Sequence, residues 1–151
     1  METALEWKET QTADAIASAV DRRRSATAVW IASVRPDGAP HLIPLWFAWD
    51  GDDLVVLSKP NAQKVRNLRR DPRVVLALGS VRDGMDVDLI EGLGEVLEAP
   101  SESVVSAAAF ARYAVPMARL GLTLDTFFAT YSQPIRIRLT RRLNWGQPGW
   151  A

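Results

Sequence analysis

Between Ala26 and Ser58 the chain is apolar and β-branched, and tight-turn chemistry cuts it twice: ATAVWIASV, RPDG, APHLIPLWFAWD, DGDD, LVVLS. Pro, Asp and Gly each occupy a turn position that suits them in Arg35–Gly38, and Asp50–Asp53 repeats the signal. Strands joined by turns this short pair antiparallel with their sequence neighbours. The spacing predicts strands over Ala26–Val34, Ala39–Asp50 and Leu54–Ser58. Two further strand-like segments follow, RVVLALGSV from Arg73 and DVDLIEGLGEVLEA from Asp86, and a closing strand IRIRLTRR from Ile135. Helical spacing of Ala13, Ile16, Ala17 and Val20 predicts a first helix over Thr12–Arg24, and Ser101 to about Thr130 reads as helical, interrupted at Pro116 and Gly121. The expected fold is mainly β (α+β), an antiparallel barrel with helical insertions, in one domain spanning residues 1–151.

The second strand places His41, Ile43, Leu45, Phe47 and Trp49 on one face and Leu42, Pro44, Trp46 and Ala48 on the other. Both faces are apolar, which predicts a strand covered on both sides. A proline in mid-strand marks an edge or a bulge. Two readings fit: a strand buried in a dimer, or one whose free backbone groups and Trp46 face a planar ligand. The first reading predicts a homodimer with Pro44–Trp49 near its interface.

SKPNAQKVRNL, from Ser58 to Leu68, predicts a strand end, a turn and a short helix that stops before Asp71-Pro72. Lys64 falls in the first turn of that helix, where the macrodipole disfavours a cation. An anion at the helix mouth would reverse that penalty, since the dipole, the exposed N–H groups and the ammonium would all stabilise it. Ser58 is placed to add a hydroxyl, and Asn67, on the same side of the helix as Lys64, to reach the ligand or the adjoining strand. Arg66, Arg69 and Arg70 read as a solvated face. The competing account of Lys64 is a snorkelling surface lysine.

Composition removes other chemistries. Lys plus Arg equals Asp plus Glu at 18 each, so no global charge draws the chain to nucleic acid or an acidic membrane. There is no cysteine and a single histidine, His41, which leaves no thiolate or imidazole cluster for a metal. Asp86 and Asp88 share a strand face and read as an exposed acidic edge. No run approaches the roughly 20 apolar residues of a membrane span, and a cytoplasmic location is expected.

The segment TAVWIASVRPDGAPHLIPLWFAWDGDDLVVLSKPNAQKVRNLRRDPRVVLAL resembles the split-barrel flavin and deazaflavin proteins of the pyridoxamine 5′-phosphate oxidase-like superfamily. The resemblance extends through IEGLGEV and PIRIRLTRR, and rests most on S-x-x-P-D-G-x-P-x-x-x-P (Ser33–Pro44) and K-x-x-N-L-x-x-D-P-R-V (Lys64–Val74). Within the superfamily the chain is most similar to the F-420-dependent branch. The resemblance implies a homodimeric split β-barrel with cofactor sites at the subunit interface. It implies phosphate binding by Lys64, with Gln63 beside it and Ser58 and Lys59 approaching the phosphate. It implies a ring system along Pro44, Leu45, Trp46 and Phe47, and closure by residues around Arg141 and Trp145. The implied activity is an oxidoreductase using coenzyme F-420 to reduce a small organic substrate. The alternatives are an FMN-dependent reductase or oxidase and a non-catalytic cofactor or haem carrier. Where pyridoxamine phosphate oxidases carry a basic pair this chain has Gln63-Lys64, and its tail has no histidine, which argues against vitamin B6 chemistry.

Overall fold

A computed structural model describes residues 4–80 and 86–143; for residues 4–12, 80 and 86 only the backbone is described. Helix α1 (Ala4–Arg22) leads into β1 (Val29–Val34), β2 (Pro40–Leu45), β3 (Ala48–Asp50) and β4 (Asp53–Ser58). Helix α2 (Gln63–Arg70), β5 (Arg73–Ser80) and β6 (Asp86–Val96) follow. A helical insertion then runs through α3 (Ser101–Val104), a 3₁₀ helix (Ala107–Tyr113), α4 (Ala114–Arg119) and α5 (Leu124–Thr130) to the closing strand β7 (Gln133–Leu143). Pro116 does not interrupt this insertion. It lies in the first turn of α4, where a missing N–H costs no intrahelical bond.

The seven strands form one sheet in the order β2-β1-β5-β6-β7-β4-β3, and every pairing is antiparallel. The RPDG turn forms as its sequence requires. Gly38 takes φ +84° and donates to the Arg35 carbonyl, while the Asp37 carboxylate accepts from the Ala39 N–H. The two edge strands, β2 and β3, are consecutive in the chain, joined only by Trp46 and Phe47. In a flat sheet the edges of seven strands would lie about 29 Å apart. The three peptide steps from Leu45 to Ala48 reach about 11 Å at most. The sheet must therefore curl until its edges meet, which is the split barrel.

The predicted second strand is thus two strands, broken at Trp46–Phe47. The break is stabilised from a distance: the Phe47 N–H donates to the Tyr113 hydroxyl, which donates in turn to the Phe47 carbonyl, both at 3.1 Å. The Arg112 guanidinium donates to the same carbonyl.

Two cores result. Inside the barrel Ile31, Phe47, Leu54, Val56, Leu76, Ile90, Ile135 and Ile137 pack together, capped by Val65 and Leu68 of α2. On the other face of β4, Val55 and Leu57 pack with Ala48 against Phe110, Tyr113, Met117, Phe127 and Phe128 of the insertion. The strand covered on both faces within the chain is therefore β4, not β2. Along β2, exposed and half-buried residues alternate, and Leu42 is 59% exposed.

The exposed position inferred for Asp88 is also corrected, while the side chain of Asp86 lies outside the described residues. Strand β6 lies between β5 and β7, and Asp88 is buried. Its carboxylate accepts from Arg22, Arg23 and Arg142, each at 2.9 Å, which fastens the end of α1 to the sheet. Burial alone would raise the Asp88 pKa, but the hydrogen bonds from the three arginines outweigh it and hold the carboxyl below its usual range.

Candidate functional site

Helix α2 begins without a side-chain cap at Ala62 and has no acidic residue in its first turn. Its leading N–H groups therefore lack the usual partners. Lys64 is half-buried in that turn and, among the described residues, has no hydrogen-bond or ion-pair partner. Burial lowers its pKa, and the nearby charge of Lys59 lowers it further. Lys59 is exposed, its ammonium 5.9 Å from the centre of the Tyr131 ring. Arg66, exposed as a residue of a solvated face should be, adds a third cation. It folds back to donate to the Asn61 carbonyl and, at 2.6 Å, to the Gln63 side chain, and pairs with no carboxylate among the described residues. Three cations thus gather at the positive pole of a helix, an arrangement that an anion would stabilise.

The other expected phosphate contacts are occupied within the protein. Ser58 is fully buried and its hydroxyl donates to the Lys59 carbonyl at 2.9 Å, so it shapes the turn rather than reaching a ligand. Asn67 is also fully buried. It takes the second of its two expected roles, the adjoining strand: it donates to the Ser33 hydroxyl of β1 at 3.0 Å and accepts from Gln63 at 2.8 Å. Gln63 is correspondingly committed to Asn67 and Arg66. Arg69 and Arg70 are structural as well: Arg69 pairs with Glu98 at 2.6 Å, and Arg70 donates to the Val34 and Arg35 carbonyls.

Pro44, Leu45 and Trp46 line a cavity of about 180 Å³, whose opposite wall is Leu57 together with Leu120, Leu122, Phe127 and Tyr131. The Trp46 indole stacks on Tyr113, centroids 4.9 Å apart and 12° from parallel, and leans on Phe127 at 5.7 Å. Phe47 is a correction: its side chain is buried in the barrel core, and its backbone groups are taken by Tyr113 and Arg112. Arg141 makes two hydrogen bonds to Glu91, at 3.1 and 2.9 Å. It lies about 26 Å along β7 from Gln133, whose side chain accepts from Arg69 in the last turn of α2. Trp145 lies outside the described residues.

Sequence reasoning missed Arg112, Tyr113 and Tyr131. The chain has only two tyrosines, and both sit on the insertion against the Trp46 side of the sheet. Their scarcity was the available signal. No cluster of three or more metal-ligating side chains occurs among the described residues, and no helix there is long and apolar enough to cross a membrane.

Residues 15–130 match the family described as pyridoxamine 5′-phosphate oxidase. The chain belongs to this family. Solved structures agree. A conserved hypothetical protein of Mycobacterium tuberculosis, Rv2991, is 28% identical with a TM-score of 0.66, the match covering 83% of this chain and 81% of that one. A protein named F420 reductase is 26% identical with a TM-score of 0.65, covering 82% and 94%. The haem storage protein HutZ of Vibrio cholerae, 16% identical with a TM-score of 0.57 and coverage of 80% and 85%, shares the fold alone. No curated protein matches the chain significantly.

Proposed function

We propose that the protein binds coenzyme F-420 and uses it to reduce a small organic acceptor. The observation that carries this reading is Lys64, half-buried and unpartnered at the uncapped start of α2, with Lys59 and Arg66 beside it. A single phosphate would be served by one lysine and the helix N-terminus. Three cations suit a longer tail bearing several negative charges, which favours the deazaflavin over FMN. The similarity to a protein named F420 reductase supports the same choice.

In this reading α2 holds the anionic tail, and the Pro44–Trp46 segment sets the position of the ring. The apolar walls of the neighbouring cavity keep water away. Bound in its reduced form, the deazaflavin supplies a hydride. No carboxylate, lysine or histidine lines the cavity, so the proton for the product comes from the Tyr131 hydroxyl or from solvent.

The assembly belongs to the same proposal. Trp30, Leu42 and Val75 are exposed at 38%, 59% and 39%, and the strand register places them on one face with Pro44, Ala32 and Ala77. A second copy covering this face makes a homodimer.

Titration of the purified protein with oxidised F-420 and with FMN under identical salt tests the cofactor. F-420 is expected to bind more tightly. An FMN affinity tenfold better would replace the assignment with an FMN-dependent enzyme, and binding without acceptor turnover would make the protein a carrier.

A further inference from the structure

The cavity beside Trp46 is too small for the cofactor. Engineered apolar cavities of about 150 Å³ take one benzene ring. At about 180 Å³ this one has room for a single substituted six-membered ring, not for a fused three-ring system. Pro44, Leu45 and Trp46 of the strand assigned to the cofactor ring form one side of it, and half its wall comes from the insertion between β6 and β7, whose Tyr131 also lies beside Lys59.

The insertion is built to hold that wall still. Helix α4 ends with Gly121 at φ +72°, its N–H bonded to the Ala118 carbonyl and the Leu122 N–H to that of Met117. This turn sets Leu120 and Leu122 at the cavity. Thr123 and Thr126 then form a reciprocal capping box that starts α5 and so places Phe127 and Tyr131. Phe127 and Tyr131 pack at 5.0 Å, and Phe127 rests on Trp46. The slot is apolar, lined by three aromatic and five aliphatic residues, and its insertion wall is fixed by short-range bonds.

Resting on the cofactor reading above, we propose that this cavity takes the acceptor, and that the acceptor presents a planar, uncharged, monocyclic ring. The walls carry no ionised side chain, and placing a charge among them would be costly without a partner. Offset stacking against Trp46, Phe127 and Tyr131 favours a flat ring over an alkyl chain of equal volume.

The test uses cofactor-free protein and three probes followed by ligand-observed NMR: benzonitrile, 1-naphthonitrile and benzoate. Benzonitrile is expected to bind saturably, and the bicyclic and charged probes at least tenfold more weakly. Leu122→Trp fills the slot and is expected to weaken benzonitrile binding at least tenfold. Leu120→Trp acts at the mouth, where Leu120 is 65% exposed, and gives the same answer if the first variant does not fold. Lack of saturable benzonitrile binding to the folded wild type overturns the proposal, as does equal affinity for the bicyclic probe or wild-type binding by the folded variants. These titrations contain no cofactor, so failure at Lys64 with benzonitrile binding intact overturns the cofactor reading alone.

Discussion

The Tyr113 hydroxyl closes on the backbone of Phe47, accepting from its N–H and donating to its carbonyl at 3.1 Å each. At this point the chain leaves β2 and begins β3, so no neighbouring strand pairs with Phe47. One side chain from the insertion therefore replaces the ladder bonds lost where the barrel splits. The same ring is the platform on which Trp46 stacks, which couples closure of the barrel to the shape of the cavity.

Tyr113→Phe keeps the ring and removes both bonds. The Phe47 carbonyl retains Arg112, but its buried N–H is left without an acceptor. A loss of about 1–3 kcal/mol is expected, measured as a lower midpoint in urea unfolding. Tyr113→Leu should cost more, because the stack on Trp46 goes as well.

Asp88→Asn removes the charge that holds Arg22, Arg23 and Arg142 together. Breaking a fully buried pair costs 3–5 kcal/mol, and the arginines here are partly exposed, so about 1–3 kcal/mol is expected. The pH dependence has a definite sign. A carboxyl whose folded pKa is depressed stabilises the fold above its ordinary value of 3.8 and loses that contribution as pH falls through the folded value. Wild type should therefore lose more stability than Asp88→Asn when acidified below about pH 4, read by thermal melts across the range.

The outer face of β2, β1 and β5 gives a prediction about assembly. Leu42→Lys puts a charge at the most exposed apolar position of that face while leaving the barrel interior alone. The wild type is expected to scatter light as a dimer at micromolar concentration, and the variant as a monomer. A monomeric wild type removes the dimer from the proposal.

How much of this was legible depended on the range over which each feature is determined. The RPDG hairpin was readable because its three key residues act within the turn itself. Lys64 was readable because helix polarity makes one residue at one pole conspicuous. The break at Phe47 was not, since its partner Tyr113 lies 66 residues away and the local sequence runs on as a continuous strand. Asp88 alternates like an exposed strand residue. Only the convergence of α1 and β7 shows that it is buried and neutralised. Ser58 and Asn67 had suitable types and spacing for a phosphate site, but spacing does not reveal that the Lys59 carbonyl and the Ser33 hydroxyl already hold them.

The last prediction concerns Lys64. Its folded pKa lies below the ordinary value of 10.5, so the unfolded chain binds its proton more tightly. Without ligand the charged lysine therefore costs stability, and this cost fades as pH rises toward 10.5. Lys64→Ala should leave cofactor-free stability unchanged or slightly higher at neutral pH, because a cation leaves the positive pole of α2 and a good helix former replaces it. Binding should move the other way. A hydrogen bond to a charged group is worth about 1.5–3 kcal/mol, so F-420 affinity should fall roughly ten- to a hundredfold. Wild-type affinity should also weaken as pH rises and Lys64 loses its proton, and this component should be missing in the variant. Calorimetric titration across pH, paired with melts of the free protein, reads both quantities. Unchanged cofactor affinity in Lys64→Ala would place the anion elsewhere, and a marked loss of cofactor-free stability would make Lys64 a structural lysine.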